Sequence, residues 1–213
     1  MKGLEGTVIM RSQLLAALLG LALVSPASAA GVAKTYSYFS IGGSTLDAIQ
    51  KELDRRGPHV KSTGHRHPGA TQMEFISRVG YQQTTKGCVI ASASVTVKAK
   101  IILPQWRRPR AADQDVRLIW DTLSDDIKRH EEQHVTIARD HARQLERKLV
   151  RLGRQKNCAI AAGKAKAAAG SILDRHDKAQ EKFDRVESAN FERRMLKLLR
   201  QRIKLIEAGE IAG

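Results

Sequence analysis

The run "CVIASASVTVKAKIIL" (residues 88–103) does most to restrict what this chain can fold into. Val89, Ala91, Ala93, Val95, Val97, Ala99 and Ile101 alternate with Ser92, Ser94, Thr96, Lys98 and Lys100. A period of two sends every second side chain to the same face, so one face is buried and the other meets water. Such a strand needs a partner. Met73, Phe75, Val79 and Tyr81 alternate in the same way upstream, and "QQTTKG" joins the two runs, which predicts an antiparallel hairpin.

Beyond the hairpin the period changes. "LPQWRRPRAAD" (residues 103–113) breaks regularity with two prolines. From about Asp113, Val116, Ile119, Trp120, Leu123, Ile127, Ala138, Leu145, Leu149 and Leu152 recur at three- and four-residue steps, the spacing of one helix face. Gly153 and Asn157 mark a turn, and a second helical stretch is predicted from about Ala159 past Leu205. Inside it "AIAAGKAKAAAG" is weakened as a rigid rod by its two glycines. Ahead of the hairpin, "AKTYSYFSI" is β-prone, and Ser44 is placed to cap a helix that Gly57-Pro58 ends. The expected fold class is α+β: an antiparallel hairpin or sheet in the N-terminal half, packed on long C-terminal helices that pair antiparallel. Residues 30–104 form the mixed part and 113–213 the helical part of a single domain.

The N-terminus reads as an export signal. "MRSQLLAALLGLALVSPASAA" has Arg11, an apolar run from Leu14 to Val24, and Ala27-Ser28-Ala29 before Ala30. We expect a signal peptide over residues 1–29, cleaved after about Ala29, with the true start at Met1 or Met10. The apolar run is short for a membrane span, so the processed protein is expected to be periplasmic or secreted and not transmembrane. An oxidising compartment favours a disulfide between Cys88 and Cys158, the two cysteines of the chain.

The formal net charge is +15; loss of Lys2, Glu5 and Arg11 removes a net +1 and leaves +14. Such a surface is drawn to anionic envelope polymers or a lipid surface. Nucleic acid is not expected as a partner, because export denies access and no recognition motif accompanies the charge.

Chemistry enters at "RHEEQHVTIARDH" (residues 129–141). His130 and His134 are four residues apart, one helical turn, so two imidazoles can converge on one zinc ion. Glu131 lies beside that position as a free carboxylate able to take a proton from water. The plainer alternative is a pair of core histidines, since both share a stripe with Leu123, Ile127 and Ala138. His141 is seven residues past His134, about 10.5 Å of rise, too far to close on the same ion. Asp140 lacks the preceding glycine that would turn the chain back to the metal. A third ligand must come from elsewhere. The loop "HVKSTGHRHPGA" holds His59, His65 and His67, of which the last two alternate and could face a metal or polarise a carbonyl. A solvated surface loop is the blander reading of it.

"TYSYFSIGGSTLDAIQKELDRRGP", "TGHRHPGATQMEF", "CVIASASVTV…IILPQW" and "HEEQHVTIARDHARQL", in this order, resemble the predicted secreted zinc-dependent proteases of bacteria, long classed as a domain of unknown function. The resemblance implies a zincin-like active-site helix, Zn2+ held by His130 and His134, and Glu131 as catalytic general base. The implied function is an exported metallopeptidase hydrolysing a peptide or protein substrate with zinc-activated water. The family pattern continues later with tyrosine-aspartate, threonine and histidine-glycine. Here the matching run is "KFDRVESANF": Phe183-Asp184 fits the start, Glu187 falls at the threonine and Ala189 at the histidine. The third ligand would then be Glu187, or Asp184 or His176, since His, Glu and Asp all ligate zinc. A site left with two ligands would suit the alternative function, a catalytically impaired relative acting as a basic cell-envelope binding protein.

Overall fold

The computed structural model describes residues 31–60 and 64–212. The expected signal peptide lies outside the described residues. In chain order the elements are β1 (Gly31–Ile41), α1 (Leu46–Arg56), β2 (His59–Val60), β3 (His65–Arg66), β4 (Ala70–Thr84), β5 (Gly87–Trp106), α2 (Gln114–Val150), α3 (Cys158–Ala189) and α4 (Phe191–Glu207). The protein is α+β, a small sheet in the N-terminal half packed against long C-terminal helices.

The hairpin forms as its period requires. β4 and β5 pair antiparallel from Ala70↔Ile102 to Thr84↔Gly87, and Gly87 turns the chain at a φ of 124°, a conformation that favours glycine. β1 adds in parallel on the other side of β5, so the sheet is mixed, in the order β1-β5-β4. Pro104 does not end β5. It sits past Ile102, where β4 has already stopped, and strand pairing with β1 runs on to Trp106.

One expectation about β5 fails locally. Val95, Val97, Ala99 and Ile101 are buried, but further back Ile90 is buried while Ala91 is exposed. Gly80 pairs with Ser92 and Tyr81 with Ile90, so Ala91 is an extra residue opposite that step. A bulge of one residue moves the following side chains to the opposite face.

α2 lies across β5. Val95, Val97 and Ile90 pack under Ala138, Ala142, Leu145 and Leu149 of α2, and Ala165, Ala168 and Ile172 of α3 close the same cluster. Alanines at this seam let the two helices approach closely. That is why α3 runs unbroken through Gly163 and Gly170: its small-residue face is buried in the seam and its lysines face water. Two smaller clusters flank this one, Ile41, Ile49, Leu53, Trp106 and Trp120 holding α1, and Ala99, Ile101, Leu103, Ile127 and Val135 beneath the motif.

Two boundaries differ from those read in the sequence. Thr45, not Ser44, caps α1, its Oγ1 accepting the Ala48 N–H at 3.2 Å. The last helix is two helices, α3 ending at Ala189 and α4 starting at Phe191. At the break Asn190 donates through Nδ2 to the Val186 carbonyl at 2.7 Å. Arg194 folds back to give Nη1 to the Glu187 carbonyl at 3.0 Å and Nε to Asp126 at 3.0 Å. The buried Asp126 needs that cation, and the break supplies it.

Cys88 and Cys158 form a disulfide with Cα atoms 5.1 Å apart. It ties the start of β5 to the start of α3, beside a two-hydrogen-bond bridge between Cys88 and Gln155. Among the described residues no helix is long and apolar enough to cross a membrane.

Candidate metal centre

The α2 helix carries His130 and His134 on one side, as the four-residue step dictates. Their Nε2 atoms face each other at 3.1 Å, and the rings meet edge to face. The third group comes from α3. Asp184 Oδ1 lies 3.3 Å from His130 Nε2 and 3.2 Å from His134 Nε2. A tetrahedral ion with bonds of about 2.0–2.1 Å sets its ligands about 3.3 Å apart, so these three atoms match the base of such a site. Two imidazoles and one carboxylate suit zinc chemically and leave a fourth position open.

Of the other sequence candidates on α3, neither joins this triangle. Glu187 turns to the far side of His130, where its Oε2 lies 3.7 Å from Nδ1; the same carboxylate accepts from Arg129 and lies 3.4 Å from Arg194 Nη1. His176 is buried, with Nδ1 2.8 Å from Asp177 and its ring against Phe75. Ala189 is the exposed last residue of α3. His141 bonds through Nδ1 to the Ile137 carbonyl of its own helix at 2.8 Å, and Asp140 stands near Arg139 and Arg143.

Several supporting groups carry no sequence motif. Gln180 Oε1 is 2.6 Å from His134 Nδ1, while its Nε2 reaches the His134 carbonyl at 3.0 Å and His176 Nε2 at 2.8 Å. An amide oxygen can only accept, so Nδ1 of His134 carries a proton, and in the neutral imidazole Nε2 is the lone-pair nitrogen, on the side of Asp184. Phe183 stacks on His130 and meets the His134 ring edge-on. A spacing signal for Gln180 exists: it falls four residues from both His176 and Asp184, on one face of α3.

Glu131 points to the sheet side of the histidine pair and is 5% exposed. Thr71 Oγ1, on β4, donates to its Oε2 at 2.8 Å. Gly69 passes directly above: a Cβ there would meet Glu131 Oε1 and Ile127 Cγ2 at 2.9 Å each. No larger residue fits between strand and carboxylate.

Burial pushes the Glu131 carboxyl up from its ordinary value, against the pull of His134 and the Thr71 hydrogen bond. Burial also raises Asp184, but its contacts with His130 and His134 outweigh this and hold it well below the usual carboxylate range. For His134 burial disfavours the charge, yet Asp184 and Gln180 prevail and raise its pKa. Asp126 is similar to Asp184: burial opposes its charge, while hydrogen bonds from Arg194 and Arg129 bring it below its ordinary value.

A cleft of about 470 Å³ opens onto His130 and Glu131. Leu53, Leu123 and Ile127 give it aliphatic walls, and His67, Pro68 and Gly69 form one edge. His67 is thus brought to the site, half-buried and lowered in pKa chiefly by burial, whereas His65 is exposed.

Fold and site together define an α+β protein with a candidate metal centre spanning two antiparallel helices, beside a buried glutamate. The chain belongs to the family described as "Bacterial protein of unknown function (DUF922)", whose model matches residues 36–191. No curated protein and no solved structure matches it.

Proposed function

We propose that the protein is an exported zinc-dependent hydrolase of peptide bonds. The observation that carries this reading is Asp184 Oδ1 closing the triangle with the two Nε2 atoms at 3.2 and 3.3 Å. His130, His134 and Asp184 would hold the zinc, which would supply Lewis acidity and lower the pKa of water to near neutral pH. Glu131 takes the proton: its buried carboxyl has a raised pKa, which suits a base that must also return that proton to the leaving amine. Thr71 fixes the carboxylate through one oxygen, and Gly69 lets the β4 entry lie close over it. The cleft beside His130 accommodates a few residues of an extended chain.

The test is zinc stoichiometry of the purified protein, with His134→Ala as control. One ion per chain, lost in the variant, supports the site. No bound metal at micromolar zinc sinks the reading. Glu131→Gln should keep the ion and abolish cleavage of an unfolded protein substrate.

A second reading, a catalytically impaired envelope-binding relative, is favoured by one observation: an outward stripe of cations on α4 that pair with no carboxylate among the described residues.

A further inference from the structure

The inner face of α4 is committed to the fold. Met195 is buried, Arg194 holds Asp126, and Arg202 pairs with Asp125. The outer face is different. Arg193, Lys197, Arg200 and Lys204 are all exposed, and none is ion-paired with a carboxylate among the described residues. Steps of four, three and four residues place them within an arc of about 60° along roughly 16 Å of helix. Four like charges on one stripe repel each other, a cost that an anionic partner would relieve. Along one flank of the stripe stand Leu196 and Ile203, 55% and 40% exposed.

We propose that α4 docks the protein on an anionic lipid surface, with the four cations on headgroups and Leu196 and Ile203 set into the headgroup–acyl boundary. The exposed aliphatics decide between lipid and a soluble polyanion. Both relieve the charge, but a soluble polymer gives Leu196 and Ile203 nothing apolar to enter. Phe191, 42% exposed at the start of α4, lines the cleft beside His130 on the side of the helix opposite the cations, so docking sets the cleft behind α4, about one helix diameter from the lipid. This inference deepens the envelope-binding reading and does not require a metal.

Sedimentation with vesicles tests it, using phosphatidylglycerol mixed with phosphatidylcholine against phosphatidylcholine alone, and free polyphosphate as competitor. Binding is expected only to the anionic vesicles. Replacing Arg193, Lys197, Arg200 and Lys204 together by Gln should weaken it roughly 10²–10³-fold. Leu196→Ser with Ile203→Ser keeps every charge and should still weaken it roughly tenfold. All six positions face solvent, and circular dichroism checks that each variant folds. Anionic vesicle binding unchanged in the four-fold variant would overturn the α4 assignment while leaving a basic envelope-binding protein. Binding insensitive to the double Ser variant and fully displaced by polyphosphate would make the partner a soluble polyanion. No binding to anionic vesicles overturns the lipid assignment, and if polyphosphate does not bind either, the envelope-binding reading is overturned with it.

Discussion

Gln180 Oε1 and His134 Nδ1 lie 2.6 Å apart across the α2–α3 seam, although the two residues are separated by 46 positions in the chain. This contact sets which nitrogen of His134 is free for an ion. Gln180→Ala should lower zinc affinity about 10–100-fold, the usual effect of losing a partner that orients a ligand. Gln180→Glu, which can still accept from Nδ1, should restore most of it. Competition with a chromophoric chelator measures both.

Asp184 and Glu187 make opposite predictions. Asp184→Ala should abolish stoichiometric zinc, and its effect on the metal-free Tm should be small at alkaline pH, once His134 has lost its charge. Glu187→Ala should retain zinc within a few-fold but lower the Tm, since Arg129 and Arg194 lose a shared carboxylate. The reverse pattern, by metal analysis and calorimetry, would reassign the third ligand.

Gly69→Ala places a methyl group 2.9 Å from Glu131 Oε1 and Ile127 Cγ2. Overpacking of this kind typically costs about 1–3 kcal/mol. Here it also displaces the proposed base, so peptide cleavage should fall more than tenfold with zinc content retained. Parallel turnover and metal assays on the same preparation separate the two effects.

The site's charges give the metal-free protein a definite pH response. His134 has a raised pKa, so its contribution is full below about 6.5 and is lost as pH rises through the raised value. Asp184 has a lowered pKa, so its contribution is present above about 3.9 and is lost as pH falls. Together they stabilise most between roughly pH 4 and 6.5. Zinc competes with the His134 proton. The zinc-induced rise in Tm should therefore be larger at pH 8 than at pH 5.5, which thermal melts with and without zinc would show.

The disulfide closes a loop of 70 residues. Loop-closure entropy puts its contribution at about 4 kcal/mol. Cys88→Ser with Cys158→Ser should lower the Tm by roughly 10 °C in a chain of this size. A drop of equal size on reduction of the unmodified protein is the matching control.

Much of this was readable in the residues. The period-two run at 88–103 required a half-buried strand, and the helical period from Asp113 required α2, because each depends only on which neighbours share a face. The bulge at Ala91 and the break at Asn190 were not readable. The first depends on the register of β4 opposite, and the second on Asp126 drawing Arg194 back across the fold.

The same division runs through the site. Sequence by itself put His130 and His134 one turn apart with Glu131 beside them, since spacing along one helix fixes relative positions on it. It left Glu187, Asp184 and His176 open as the third group, because all three sit on α3, Asp184 about 60–80° round its axis from the other two, and His176 and Glu187 on one face about 16 Å apart. That angle relative to α2 is set by the seam of Ala138 and Ala142 against Ala165, Ala168 and Ile172. Only that packing turned Asp184 to the two Nε2 atoms, Glu187 to the arginines and His176 into the core.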